Sequence, residues 1–163
     1  MMWQMKGGAA MDGRKYRKLL FWTYCAMMLM LLFGRLPDRS PLPYLERALG
    51  LLNPVPFETV CRYVRLLGHP DSAYVWIAVV NLFGNILMFV PLGLLMPEAY
   101  PRTARWWKVL SITAGVIAAV EVTQMMTLLG TCDVDDLLLN LLGAAMGYGL
   151  FLILHKNKGS AAV

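Results

Sequence analysis

Seven carboxylate and amide side chains interrupt otherwise apolar stretches of the sequence at helical spacing. They are Asn81, Asn85, Glu121, Gln124, Asp133, Asp136 and Asn140. Within each stretch the offsets are three, four or seven residues, which places the polar groups of one stretch on one helical face. An ionisable side chain inside a membrane span costs about 2.5–3.5 kcal/mol on insertion scales, so polar groups there indicate a function. We therefore predict a pocket in which the three polar faces meet.

Carboxylates in such a pocket could do two kinds of chemistry. A carboxyl group withdrawn from water suits general acid or proton-relay chemistry, which makes Glu121 the candidate catalytic residue. Asp133 and Asp136 could hold a divalent cation through their oxygens. The turn around them is short, and Asp135 would point away from Asp136 on a helix. We therefore expect neither a metal nor a cofactor.

The composition places these residues in a membrane protein. Of the 163 residues, 58% are hydrophobic and 15% are charged, whereas soluble domains have about 45–50% and about 25%. We predict an all-α polytopic membrane protein that forms a single domain over residues 1–163. Its four transmembrane helices are expected at about residues 16–33, 74–96, 107–129 and 136–154. The second span is interrupted by Asn81, Asn85 and Pro91 and is expected to close at Pro97.

Basic residues are distributed unevenly between the segments that connect the predicted spans. With the N-terminus in the cytoplasm, the cytoplasmic segments hold ten of the fifteen Lys and Arg residues. The other five share the loop before the second span with four acidic residues. The positive-inside rule therefore predicts that both termini are cytoplasmic. Because the positions of the basic residues matter more than the net charge of +5, membrane lipids are the expected partners and no nucleic-acid partner is expected.

The helical rise gives the depth of the polar side chains. Glu121 would lie roughly 21 Å from the inner boundary of a hydrocarbon core about 30 Å thick. Asn81 would lie about 10 Å and Asn85 about 16 Å below the outer boundary. The pocket is therefore predicted to be acidic and to open to the extracytoplasmic side.

The outer loop before the second span is predicted to contain a short amphipathic helix at residues 58–67. Its apolar face would consist of Val60, Val64 and Leu67. Such a helix could lie in the membrane interface or cover the bundle, and both interpretations remain open.

A role in helix packing is the alternative for several of the polar residues. Asn side chains hydrogen-bond across membrane helices, and glycines allow helices to approach closely. The candidate packing glycines are Gly84, Gly143 and Gly147, and the last two form a G-x-x-x-G pattern. Because buried carboxylates hold helices together poorly, the functional interpretation rests on the acidic residues.

The three cysteines do not form an obvious ligand set or pair. Cys25 falls within the first span, whereas Cys61 and Cys132 are predicted to lie outside the spans. A disulfide between the latter two is one interpretation, but two isolated cysteines do not fix the required geometry. Free thiols are the other.

Four stretches of the chain together resemble the VanZ-like family of bacterial membrane proteins. They are residues 53–60 (NPVPFETV), 81–93 (NLFGNILMFVPLG), 121–124 (EVTQ) and 133–143 (DVDDLLLNLLG). Their order and spacing extend the resemblance over about residues 51–151. The resemblance implies a protein of the bacterial cell envelope, in the cytoplasmic membrane. The family's founding relative is an accessory factor of antibiotic resistance, associated with the lipid-bearing glycopeptide teicoplanin.

Three functions are compatible with these observations. In the first, the pocket and loop bind or shield a lipid-linked cell-wall precursor, another lipid-linked envelope molecule or an acylated glycopeptide. In the second, a membrane-embedded enzyme uses Glu121 as acid or base, while Asp133 and Asp136 orient a lipid-linked substrate. In the third, the chain is a structural partner subunit or oligomer joined through Asn140 and the packing glycines. The first is preferred because no nucleophile with an adjacent base accompanies Glu121.

Overall fold

A computed structural model describes residues 13–34 and 40–160 of the chain. The helices of these residues are α1 (Gly13–Phe33), α2 (Tyr44–Gly50), α3 (Glu58–Leu66), α4 (Ser72–Ala99), α5 (Trp106–Met126) and α6 (Val134–Ser160). Two short strands, β1 (Leu52–Asn53) and β2 (Cys132–Asp133), and a 3-10 turn (Pro101–Thr103) connect them. Four helices, α1, α4, α5 and α6, are long and apolar enough to cross a membrane. The predicted all-α, four-span membrane fold is therefore confirmed.

Helices α4 and α6 form the centre of the bundle. Helix α1 packs on α4, and α5 packs on α6. The core between them contains Phe89, Val109, Ile117 and Ala144, each at most 1% exposed. Because α6 lies between α4 and α5, the polar faces of those two helices meet mainly at α6.

The second span ends later than predicted. Helix α4 continues through Pro91 and Pro97 and ends at Ala99. A proline removes one backbone hydrogen bond, but in a membrane bundle the packing of neighbouring helices tolerates that loss. Pro97 is buried, and the contact of α4 with α6 keeps the helix continuous around both prolines.

The third span also ends earlier than predicted. Helix α5 ends at Met126 rather than at residue 129. Leu128 has a left-handed backbone conformation, with a φ of 58°, and the Leu129 N–H donates to the Gln124 carbonyl at 2.8 Å. This turn closes the helix and directs the chain towards β2.

Glycines bring α4 and α6 into backbone contact. A Cβ atom at Gly143 would overlap the carbonyl oxygen of Ile86, and one at Gly147 would overlap that of Val90. The structure thus places the G-x-x-x-G pattern at a close helix contact within this chain. The prediction that Gly84 packs a helix is wrong, since a Cβ there would meet no atom within 4 Å among the described residues.

At one end of the bundle, hereafter the loop end, short segments form a cap over α4, α5 and α6. Strands β1 and β2 pair in parallel, with Asn53 opposite Asp133. The Tyr44 hydroxyl of α2 donates to the Met126 carbonyl at 2.8 Å. The opposite end, where α1 begins and α6 finishes, is the terminal end.

Helix α3 is the amphipathic loop helix that the sequence predicted. The face that packs on the bundle is not the apolar face with Val64 and Leu67. Thr59 is 3% exposed and Tyr63 is half-buried, whereas Val64 is 54% exposed. The apolar face with Val64 and Leu67 therefore points away from the bundle. An exposed apolar face favours the interfacial interpretation over that of a bundle cover.

The charge pattern used to predict the orientation extends beyond the described residues. Lys6, Arg35, Asp38 and Arg39 lie outside them. Among the described cations, Arg14, Lys15, Arg17 and Lys18 begin α1 at the terminal end, where Arg102, Arg105 and Lys108 also lie. The terminal end of the bundle is therefore rich in cations.

Candidate functional site

Asp133 holds the loop-end cap together. It precedes the first residue of α6 and acts as its N-cap, because its Oδ1 accepts a hydrogen bond from the Asp135 N–H at 2.8 Å. Its Oδ2 accepts from the Thr59 hydroxyl at 2.6 Å and from the Asn53 amide at 3.2 Å. Asp133 is only 5% exposed. One carboxylate therefore joins the start of α6 to both β1 and α3.

Asp135 performs a second capping function that the sequence did not reveal. It is fully buried, and its two oxygens accept the Phe57 N–H at 2.5 Å and the Val60 N–H at 3.0 Å. These N–H groups belong to the start of α3, which lacks a side-chain cap of its own. A carboxylate is also favourable at the positive end of a helix dipole. Asp135 thus fixes α3 on α6.

Glu121 lies beside this network, near the loop end of α5. Its side chain is buried, with 6% exposure, and its Oε2 accepts the Asp133 N–H at 3.1 Å. The predicted proximity of Glu121 and Asp133 is therefore present in the structure, through a backbone N–H. This bond positions the start of α6 against α5.

A polar cavity of about 340 Å³ opens at the loop end between α3, α4 and the start of α6. Seven of its lining side chains are polar: Thr59, Arg62, Tyr63, Asn81, Thr131, Asp133 and Asp136. The Arg62 Nη2 donates to the Thr59 hydroxyl at 3.0 Å. Asn85 is not among the lining residues, but its amide donates to Asp136 Oδ1 at 2.6 Å. We call this space the loop-end cavity; it is of mixed charge rather than purely acidic as predicted.

Two predicted pocket residues do not line the loop-end cavity. The Gln124 amide donates to the Leu32 carbonyl of α1 at 2.8 Å, so this residue joins α5 to α1. Asn140 is buried in α6, and its Oδ1 has no hydrogen-bond partner among the described residues. Neither residue is among those that line the loop-end cavity.

A second depression, the apolar groove, lies on the opposite side of Asp133. It measures about 270 Å³ and is lined mainly by apolar side chains, with Glu121 and Cys132 in its wall. Glu121 therefore borders the groove and not the loop-end cavity. The seven predicted residues are divided between two spaces and the helix interfaces.

The structure gives no sign of a metal centre in the part of the chain it describes. There, no three His, Cys, Asp or Glu side chains come together as a ligand set. Both oxygens of Asp133 already accept hydrogen bonds from protein groups. The weak candidates Asp133 and Asp136 therefore gain no third ligand from the described residues.

All three cysteines are free thiols, so the structure contains no Cys61–Cys132 disulfide. Burial raises the pKa of the Cys132 thiol, and the negative charges of Glu121 and Asp133 raise it further. At neutral pH this thiol is accordingly protonated and a poor nucleophile.

We expect Cys132 to be alkylated slowly, and Glu121→Gln to accelerate the reaction. Removing the Glu121 charge lowers the pKa of Cys132, so more thiolate is present at a given pH. The measurement is the pH profile of iodoacetamide labelling in a variant with Cys25 and Cys61 replaced by serine. The profile should shift to lower pH with Glu121→Gln and remain in place with Glu58→Gln, whose side chain is exposed on α3. Identical profiles for all three proteins would contradict the electrostatic coupling.

The sequence analysis did not identify the residues that α3 contributes to the loop-end cavity. Thr59, Arg62 and Tyr63 line the cavity, but the bond that joins this helix to Asp133, from the Thr59 hydroxyl, spans 74 residues of sequence. The sequence did contain a pointer to these residues, since residues 53–60 form one of the four stretches that carry the family resemblance. The structure explains that stretch, because Asn53 and Thr59 both bind Asp133.

Comparison with known proteins identifies the family of the chain. The family model described as VanZ/LLP1 matches residues 21–155, which include α4, α5, most of α1 and α6, the capping network and the loop-end cavity. No curated protein and no solved structure matches the chain significantly. Since the matched region is most of the chain, this four-helix membrane protein belongs to the VanZ/LLP1 family.

Proposed function

We propose that this protein binds the polar head group of a lipid-linked envelope molecule, or part of an acylated glycopeptide, in the loop-end cavity. The single observation that carries the proposal is the cavity itself. It combines one cation, Arg62, with the carboxylates of Asp133 and Asp136 at the end of a membrane-spanning bundle. Charged groups of both signs suit a head group that carries phosphate or carboxylate together with hydroxyl or amide groups.

The size of the cavity limits what it can hold. Ligand cavities commonly measure about 300–1,000 Å³, and this one is at the lower end, at about 340 Å³. It would admit a head group but leave the remainder of a large amphiphile outside. Exposed apolar side chains of the same cap, including Phe57 and Val64, are available for an acyl chain.

The proposed setting is the bacterial cytoplasmic membrane, with both termini in the cytoplasm and the loop end outside. The cations at the start of α1 and between α4 and α5 support this orientation. In that orientation the cavity is open to envelope molecules and to antibiotics that arrive from outside. Binding there would shield a lipid-linked target or retain the drug.

We expect Arg62→Gln and Asp136→Asn each to weaken binding by about tenfold or more, because a hydrogen bond to a charged group contributes about 1.5–3 kcal/mol. The measurement uses purified protein in phosphatidylcholine nanodiscs, with teicoplanin, vancomycin and a polyprenyl-phosphate-linked sugar as probes. Wild type should bind at least one lipid-bearing probe and bind vancomycin less. Cells that express the same variants at equal membrane levels should lose any selective protection against teicoplanin.

Arg65→Gln is the matched control for this experiment. Arg65 is an exposed cation of the same helix α3 but does not line the loop-end cavity. An equal loss of binding in Arg65→Gln and Arg62→Gln would exclude the cavity as the site. Failure of wild type to bind both lipid-bearing probes would contradict the proposed function as a whole.

A membrane-embedded enzyme is the second candidate, and one observation favours it. Glu121 is buried in the wall of the apolar groove, where a carboxyl group could meet the reacting part of a lipid-linked substrate. The same assay, read as product formation from the sugar probe, tests this function. A structural partner subunit joined through Gly143 and Gly147 is disfavoured, because those glycines contact α4 of the same chain.

A further inference from the structure

A second charged cavity lies at the terminal end of the bundle, far from the capping network. It measures about 360 Å³ and is formed by the start of α1 and the turn that follows α4. Its lining includes three cations, Arg14, Lys18 and Arg102, together with Tyr100. No acidic side chain is among its lining residues in the described part of the chain.

Glu98, the described carboxylate that precedes the cavity-lining Ala99 in the sequence, lines a neighbouring space. Glu98 lines a different cavity, where its oxygens approach Arg17 at 3.9 Å and His155 at 3.3 Å. It therefore belongs to a separate ionic cluster. The cavity of Lys18 and Arg102 keeps a strongly positive lining.

Aromatic contacts hold the floor of this cavity in place. The Trp22 indole N–H donates to the Tyr100 hydroxyl at 2.8 Å, and the Phe21 and Tyr100 rings pack edge to face at 5.6 Å. The Lys18 ammonium lies 5.3 Å from the centre of the Tyr100 ring. These contacts fix the position of Tyr100, and with it the floor of the cavity, against α1.

The cavity lies at the level where lipid head groups are expected. Trp106 and Trp107, 62% and 47% exposed, follow the Pro101–Thr103 turn and mark an aromatic belt. The exposed faces of Leu19 and Trp22 adjoin it on α1 and are apolar. A ligand with phosphate at this level and acyl chains along α1 would match both surfaces.

We propose that this cavity binds the phosphate of an anionic phospholipid head group. Basic pockets between membrane helices attract such head groups, and each Lys or Arg near a membrane surface strengthens the attraction about fivefold. The chemistry recognised is a phosphate anion, and the adjoining apolar faces favour one that is carried by a lipid. This site is separate from the loop-end cavity and does not depend on the function proposed for it.

The test is native mass spectrometry of the full chain in detergent with equal amounts of phosphatidylglycerol and phosphatidylcholine. Wild type should retain phosphatidylglycerol preferentially, and Lys18→Gln and Arg102→Gln should each lower the ratio of the two lipids about fivefold. Lys18→Arg should retain the preference. Arg65→Gln, which removes an exposed cation at the loop end, should leave the ratio unchanged.

Three results would overturn the proposal. They are an equal affinity of wild type for both lipids, an equal decrease in Arg65→Gln, and displacement of the lipid by millimolar inorganic phosphate. The last result would assign the site to free phosphate instead. Gel filtration and the thermal midpoint of each variant establish that it is folded, which is expected because Lys18 and Arg102 are exposed.

Discussion

Asp135→Ala is expected to detach α3 from the bundle and to lower the free energy of unfolding by about 3 kcal/mol, because each buried N–H left without an acceptor costs about 1–3 kcal/mol. The two donors are the Phe57 and Val60 N–H groups. Alanine also leaves a hole at a fully buried position. Amide hydrogen exchange should accelerate in α3 and remain slow in the interface of α4 with α6.

Asp71→Ala is the matched control for the capping carboxylate. Asp71 caps α4 by accepting the Ala73 N–H at 2.9 Å, but its side chain is exposed. Water can replace that bond, so we expect a loss of only about 1 kcal/mol. Equal losses for Asp71→Ala and Asp135→Ala, with α3 still protected from exchange, would show that Asp135 does not hold the helix.

This prediction links stability to the proposed binding function. Helix α3 supplies Thr59, Arg62 and Tyr63 to the loop-end cavity, and Asp135 itself does not line that cavity. Asp135→Ala should therefore abolish binding while the four membrane helices remain inserted. The buried carboxylates that the sequence favoured for chemistry are thus largely engaged in positioning, and the binding surface comes from the helix they position.

The membrane helices were predictable because burial in lipid requires long uninterrupted apolar runs. Each predicted span lies on one observed helix, with end errors of a few residues. The predicted end at Pro97 follows a rule for isolated helices, whereas α4 packs on α6 and continues to Ala99. Local rules thus placed the elements well and their ends less well.

The site was harder to predict because its contacts join distant segments. Asp135 is separated from Phe57 by 78 residues, and Phe57 adopts a φ of 65° that few bulky residues adopt. Helical spacing grouped Asp133 with Asp136, which both line the cavity, but also included Asn140 and Gln124, which do not line it. Helical spacing shows which residues share a face of a helix. It does not show which neighbouring element each of those residues contacts.

Gly147→Ala is expected to have the other large effect, because the added methyl would collide with the carbonyl of Val90. Backbone atoms cannot move aside as a side chain does, so α4 and α6 must separate along their contact. Overpacking typically costs about 1–3 kcal/mol, and we expect a loss at the upper end. The measurement is the thermal midpoint of the purified protein by fluorescence-detected gel filtration.

Every helical glycine gains helix propensity on mutation to alanine. The control for the steric effect is therefore a glycine without a close neighbour. A Cβ at Gly84 or Gly115 would meet no atom within 4 Å among the described residues. Both substitutions should therefore be neutral or should stabilise the helix by up to about 1 kcal/mol. If Gly147→Ala matched Gly84→Ala, the two central helices would not be in backbone contact. If it destabilised only a detergent-resistant oligomer, the glycines would instead join separate chains.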